Sequence, residues 1–406
     1  MAEGAAPAVP QPRPRRSAPA GSPLATVLLF LLPLVLLGAV IAVFATTNAG
    51  LDLEPPAPIN RLDVERTVVS SDGFHLQVRN VGPRELTIAQ VVVNDAVWPA
   101  FVDPGPTLGR LERATINIPY GWVHGEPYEI KIITGDAIAI KTEIPVAFET
   151  PRPTAQMLLS FTLIGLYVGV IPVFLGLLWY PALRQLGRRA FTFLMALTAG
   201  LLVFLGIDAT SEALEVAGKV ASPFQGVALV GLGLVLTVLL LEAISRRQAG
   251  VERDETGKRL AVATTIALGI GLHNLGEGLA IGAAYSLGEI ALGAFLVIGF
   301  IVQNITEGLG IVAPILRDRP AWRRLALLGM LGGGPAIVGT WVGGFTYSQP
   351  LAALFLGIGA GAVFQVAWEI GRLIRRDEQR DPAPFLSFGG VAAGMLVMYL
   401  TGLLMK

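Results

Sequence analysis

A chain of 406 residues that is 53% hydrophobic and only 15% charged departs from soluble domains, in which about a quarter of the residues are charged. Its mean hydropathy of +0.63 places it in the membrane class, and a formal net charge of +0 supplies no basic field for nucleic acid. Cysteine is absent, which excludes disulfides, thiolate metal sites and cysteine nucleophiles, and histidine is confined to His75, His124 and His273, so a metal site inside the membrane has to be built mainly from oxygen ligands.

Residues 1–23 are rich in Pro, Ala and Arg and are expected to form a disordered leader. Residues 24–47 then run almost without polarity, long enough to span a bilayer. A cleaved signal peptide competes with that reading, but its apolar region is usually roughly 7–15 residues, so an uncleaved anchor is expected. Between residues 50 and 150 charges return, and short alternating segments such as FHLQVRNV, ELTIAQVVV and YEIKIIT are separated by turn signals at Gly82-Pro83 and Gly135-Asp136. This spacing predicts a small β-sandwich of immunoglobulin-like type. Its expected role is structural or partner-binding, because fold alone gives no chemistry, and His75 and His124 read as surface residues.

Eight apolar segments follow, at about 156–180, 188–214, 222–244, 259–285, 289–316, 323–346, 349–375 and 384–405, each of spanning length. The expected fold class is therefore a mainly α, polytopic membrane protein: one anchor helix, a small all-β domain, and an eight-helix domain over 156–406. With the Arg-rich leader inside, alternating loops assigned to the cytoplasm carry sixteen Lys and Arg residues, among them Arg188, Arg189, Arg246, Arg247, Arg323, Arg324, Arg375 and Arg376. The outer loops and tail carry only Lys219 and Lys406. Such asymmetry fixes orientation. It places the N-terminus in the cytoplasm, the β-domain and C-terminus outside, and the chain in the cell membrane.

Charged residues at mid-membrane depth cost about 2.5–3.5 kcal/mol each on insertion scales, which makes them functional candidates. Two successive segments concentrate them. One reads GIGLHNLGEGLAIG, with His273, Asn274 and Glu277; the next reads GFIVQNITEGLGIV, with Gln303, Asn304 and Glu307. The second repeats the first 30 positions later. At about 100° per residue, Glu277 lies roughly 40° from His273 and 60° from Asn274 around the helix, so the three share a face. The same holds for Gln303, Asn304 and Glu307. Two carboxylates, an imidazole and amide oxygens can make a compact N/O site for a borderline divalent ion. Paired motifs at mid-depth on antiparallel spans are a pattern of secondary transporters. Simple hydrogen bonding between helices is the plainer alternative, and it does not require two glutamates and a histidine at matching positions. Gly276, Gly278, Gly282, Gly308 and Gly310 are expected to permit close helix packing.

His273-Asn274-x-x-Glu277-Gly278 and Gln303-Asn304-x-x-Glu307-Gly308 resemble the paired signatures of the ZIP (Zrt-, Irt-like protein) family of divalent-metal transporters, particularly its prokaryotic branch. The resemblance covers about 156–406 and leaves the anchor and β-domain as additions. It implies transport of a divalent transition metal into the cytoplasm by alternating access. Zinc is the first candidate, with iron, manganese, cobalt and cadmium behind it. It also implies that His273, Glu277, Gln303 and Glu307 hold the metal and that Asn274 and Asn304 contribute to a second position. Where the family's sixth helix often carries Glu-Pro, this chain has Gly333-Gly334-Pro335, so one well-formed site is expected.

Other membrane acids have pathway roles to be weighed. Asp208 and Glu212 lie toward the outer side, with Glu215 beyond them. Glu369 lies toward the inner side, where Arg372 three residues on is an alternative partner, and Glu242 reads as interfacial. No Walker-type motif is present. Two other functions compete: a metal-sensing receptor whose β-domain binds a partner, and an intramembrane metalloenzyme, for which the sequence lacks H-E-x-x-H. Partners expected are the bilayer and the metal ion, with no nucleic acid; a homodimer is one candidate assembly.

Overall fold

The computed structural model describes residues 23–47, 60–249, 254–287, 290–378 and 384–404. Residues 1–22 of the expected leader, and Arg253, Arg380 and Lys406 of the loop charge pattern, lie outside them. Helix α1 (Pro23–Thr47) is 25 residues of apolar sequence containing Pro33. At 1.5 Å per residue its length is about 37 Å, sufficient for a hydrocarbon layer of about 30 Å.

The β-domain has nine strands: β1 (Leu62–Ser70), β2 (Gly73–Asn80), β3 (Leu86–Val93), β4 (Ala96–Trp98), β5 (Phe101–Asp103), β6 (Thr107–Leu108), β7 (Arg113–Ile118), β8 (Tyr128–Thr134) and β9 (Ala139–Ile144). One sheet runs β1-β2-β7-β5 and the other β4-β3-β8-β9, with β6 added to β3; every pairing is antiparallel. Relabelled A to G, that order is A-B-E-D facing C-F-G with one extra edge strand, the immunoglobulin arrangement. Alternation drives it. Phe74, Leu76 and Val78 of β2, Ile116 of β7, Val91 of β3 and Ile130 and Ile132 of β8 point inward and form one core. At the start of β8 the Tyr128 hydroxyl accepts from the Val123 amide at 2.8 Å, a tyrosine corner. Strand β1 is absent from the predicted segments because Asp63, Glu65 and Arg66 break its apolar alternation.

Charge on this domain gives a pH dependence. Lys131 Nζ lies 2.5 Å from Asp95 and 2.7 Å from Glu129, and these hydrogen bonds hold both carboxyls below their ordinary values. Asp72, through Ser70, and Asp136, through Thr134, are also held low. Groups depressed in the fold contribute stability that is complete above their unfolded pKa and lost as pH falls through the folded one. Asp63 is opposite: burial, then the Glu65 charge, raises it, so its ionisation opposes folding above its ordinary value of 3.8. The depressed groups set the expected sign, at a size limited by solvent screening because these carboxyls are exposed. Hydrogen exchange of β2 and β7 in the full chain should speed up as pH drops below about 4.5, after correction for intrinsic exchange. Protection that increases on acidification would contradict this.

After the β-domain, seven helices among the described residues are long and apolar enough to cross a membrane: α2 (Ala155–Leu183), α3 (Arg188–Lys219), α4 (Ser222–Gln248), α5 (Glu255–Leu287), α6 (Leu292–Ile315), α7 (Trp322–Thr346) and α8 (Gln349–Arg376). A further apolar helix, α9 (Pro384–Leu404), follows. This is the makeup of a multi-pass membrane protein. α4 leaves Leu232, Val235, Leu236, Leu239 and Leu240 exposed, as a lipid-facing helix does. α5 is the central helix, its most apolar stretch 78% buried. Two spans are irregular. α2 contains a π-helical turn at Leu166–Val170 just before Pro172, and α7 breaks between Gly333 and Pro335.

Glycine lets α5 and α7 meet backbone to backbone. A Cβ on Gly278 would run into the Ala336 carbonyl, and one on Gly282 into the Thr340 carbonyl, while Gly339 and Gly343 of α7 return the approach against Leu275 and Leu279. Gly308 of α6 fits against Val173 and Gly176 of α2 in the same way. Gly276 and Gly310, expected to share this role, would instead meet only side chains or backbone at 3.3 Å or more. Gly276→Ala should therefore leave the melting temperature within the range of an ordinary surface change, about 0.5 kcal/mol. A loss of several degrees in a thermal melt would show that the space beside α8 is tighter than described.

Candidate metal centre

Helices α5 and α6 deliver the two motifs to one place. His273 Nε2 lies 3.2 Å from Glu277 Oε1 and 3.9 Å from Glu307 Oε1. One ligand atom from each of the three falls within 4.8 Å of the others, and this is the one such His/Cys/Asp/Glu group found among the described residues. Bonds of about 2.1 Å to one ion put neighbouring ligand atoms roughly 3–4 Å apart. Side-chain shifts of about 1 Å would close the group on a cation.

All six residues singled out by the paired motif are buried: His273 5% exposed, Asn274 0%, Glu277 4%, Gln303 7%, Asn304 0% and Glu307 2%. They are also short of partners. Nine buried side-chain polar atoms among the described residues make no hydrogen bond, and seven are His273 Nε2, Asn274 Oδ1, Glu277 Oε1, Gln303 Oε1, Asn304 Oδ1 and both oxygens of Glu307. Buried polar groups are normally satisfied, so orphan atoms concentrated in six residues need a physical reason. A divalent cation supplies one, since it takes the lone pairs of oxygen and imidazole ligands together and offsets the repulsion between two carboxylates.

The asparagines are held so that their amide oxygens remain free. Asn274 Nδ2 donates to the Gly332 carbonyl of α7 at 3.0 Å; Asn304 Nδ2 donates to the Val168 carbonyl of α2 at 3.0 Å and to Glu277 Oε2 at 2.9 Å. Both carbonyls sit at the helix irregularities, one in the π-turn before Pro172 and the other just ahead of Pro335. Such breaks turn main-chain carbonyls toward neighbours. The signal was present in the sequence as two prolines inside apolar spans.

Asp208 and Glu212, on α3, lie beside the cluster. They line a cavity of about 20 Å³ together with His273, Gly276 and Glu277. That is room for one water-sized species. Glu215 is exposed and paired with Lys219 at 3.3 Å. At Gly333-Gly334-Pro335 there is no carboxylate, so no second acidic ligand comes from α7.

No protein-family model matches this chain, and no curated protein matches it either.

Glu369 is not part of the cluster group. It is 4% exposed, accepts from Ser245 at 2.5 Å and lies 3.2 Å from Arg372 Nη1. Arg372 Nη2 also holds Glu242 at 2.7 Å, and Gln365 donates to Glu242 at 2.9 Å. The Arg372 pairing is thus realised, and Glu242, read as interfacial, belongs to a network tying α4 to α8. Removing one member leaves the others unsatisfied. Arg372→Ala should lower stability by about 1–3 kcal/mol in thermal melts. An unchanged melting temperature would mean that the network adds nothing to the fold.

His75, in the β-domain, has both ring nitrogens engaged, Nε2 with Ser70 Oγ and Nδ1 with Asn117 Oδ1, each at 2.7 Å. His124 is exposed. Neither belongs to a metal-ligating group among the described residues.

Proposed function

We propose that the chain carries divalent transition-metal ions across the membrane, binding each ion between α5 and α6 at His273, Glu277 and Glu307, with Gln303, Asn274 and Asn304 completing the ligands. The observation that carries this reading is the set of seven orphaned polar atoms on six residues that a repeated motif brings together inside a membrane-spanning bundle. Stable buried charge without a partner is costly. A site that alternately gains and loses a cation explains why such a set is kept.

The donor set is one imidazole with carboxylate and amide oxygens, borderline in softness, and suits Zn²⁺ first and Fe²⁺, Mn²⁺, Co²⁺ or Cd²⁺ after it. The motif pair and the helical domain support a ZIP-like transporter acting by alternating access, with the β-domain and C-terminus outside and the N-terminus in the cytoplasm of a cell membrane. Ion release would leave two carboxylates facing each other, so one proton bound in its place is expected. The test is metal uptake into proteoliposomes holding a fluorescent chelator. Zn²⁺ or Co²⁺ should enter with the parent chain, and Glu277→Gln should slow that at least about 100-fold, beyond the 10–100-fold typical of groups behind the ligands. Equal uptake by Glu277→Gln would refute the site. Product formation from a substrate without ion flux would favour the metalloenzyme reading.

A further inference from the structure

We infer that the β-domain roofs the way into the buried cluster, so that a divalent cation reaches the site through an acidic vestibule between sheet and helices. This rests on the reading of the cluster as a cation site. A cavity of about 520 Å³ lies between the two parts of the chain. One wall is β1 and the β9 region, including Glu65, Thr67, Thr142 and Glu143; the other is the adjoining ends of α3, α5, α6 and α8. Two contacts fix the roof. Arg66 Nη1 of β1 donates to the Phe345 carbonyl at the end of α7 at 3.0 Å, and the Arg79 guanidinium of β2 lies 5.3 Å over the Phe224 ring at the start of α4.

The vestibule leads inward. Glu212 lines both it and the smaller cavity that contains Asp208, His273 and Glu277. The orphaned His273 Nε2 and Glu277 Oε1 stand at the inner end of this route. Its charge is acidic: Glu65, Glu143, Glu212 and Glu215 against Arg66 and Lys219. Lys219 is paired with Glu215 and Glu65 with Arg79 and Arg113, while Arg66, which donates to the neutral Phe345 carbonyl, keeps its charge. The side chains of Glu143 and Glu212 make no ion pair or hydrogen bond among the described residues; these two carboxylates face the single unpaired charge of Arg66 and are left to act on a passing cation. A cleft of one sign between low-dielectric walls concentrates counter-ions and speeds their arrival. The domain thus serves as a charge filter at the mouth of the pathway as well as a cover.

The absence of cysteine makes the test clean. Thr142→Cys or Thr67→Cys places a single thiol in the vestibule of the full chain, and Thr107→Cys places one on β6, outside the vestibule lining. In proteoliposomes, Co²⁺ is followed both as uptake and as the absorbance of ion arriving at the cluster. Modifying the vestibule thiols with a cationic methanethiosulfonate should slow both at least about tenfold relative to the same variant before modification. An anionic reagent of similar size should slow them less than about threefold, and Thr107→Cys should not respond. Unchanged rates with both reagents overturn the vestibule while Co²⁺ binding at the cluster still stands. Equal slowing by both reagents overturns the charge filter. A parent chain in which Co²⁺ never gives the absorbance of a His/carboxylate site overturns the cluster reading and the vestibule with it.

Discussion

Glu307→Met should abolish metal uptake and at the same time raise the melting temperature of the metal-free protein. Both carboxylate oxygens of Glu307 are buried and without hydrogen bonds, and the side chain is 2% exposed, with His273 at 3.9 Å. In water that group would be solvated; here the fold holds it in place with no hydrogen bond to its oxygens. Methionine is of similar size and has nothing to desolvate. Burying an ionised carboxylate carries a desolvation penalty, and Glu307 also faces the like charge of Glu277; its removal relieves both and leaves His273 paired with Glu277 at 3.2 Å. Removing a metal ligand, by contrast, should cost at least about 100-fold in uptake. The opposite signs are the point. A residue kept for helix packing would lower stability and transport together. Thermal melts with and without Zn²⁺ check this: the parent should be stabilised by the ion according to RT ln(1 + [L]/Kd), and Glu307→Met should gain nothing from it. A metal-free variant less stable than the parent, or one still stabilised by Zn²⁺, would contradict the assignment.

The second large effect is expected at the α5–α7 contact. Gly278 follows Glu277 directly, and its Cα faces the Ala336 carbonyl across the helix pair, with the Thr340 amide 3.0 Å from where a Cβ would stand. The obstructing atoms are main chain, so no rotamer change relieves them. Gly278→Leu has to push α7 away, at a cost of about 3 kcal/mol, the upper end of overpacking. The same displacement moves the Gly332 carbonyl that holds Asn274. Uptake should therefore fall even in the fraction of protein that folds. Gly276→Ala, two residues earlier on the same helix, is the matched control, because nothing lies nearer than 3.6 Å to its Cβ position. Comparable melting temperatures for the two variants would refute the close-contact account.

The paired motif was readable because it obeys one rule, helical spacing at mid-depth: His273, Asn274 and Glu277 repeat as Gln303, Asn304 and Glu307, and all six are buried. The sandwich was readable where apolar alternation is clean, as in β2, β7 and β8, and hidden in β1, where three charged side chains interrupt it. Other features depend on neighbours remote in sequence. Nothing local to Asn274 or Asn304 names Gly332 or Val168 as partner, since those carbonyls are offered by bends in other helices. Glu369 meets Ser245 as well as Arg372, and Arg372 in turn holds Glu242; Ser245 and Glu242 lie on a helix more than a hundred residues earlier. The roof over Glu212 likewise arises from how two domains meet, which periodicity does not report.

The most direct measurement is anomalous scattering at the zinc edge from crystals of the Zn²⁺-loaded protein. A peak is expected about 2.0–2.2 Å from His273 Nε2 and from an oxygen each of Glu277 and Glu307, lost in the Glu277→Gln and Glu307→Gln double variant. A loaded crystal with no peak between α5 and α6, or with zinc held only by the β-domain, would contradict it.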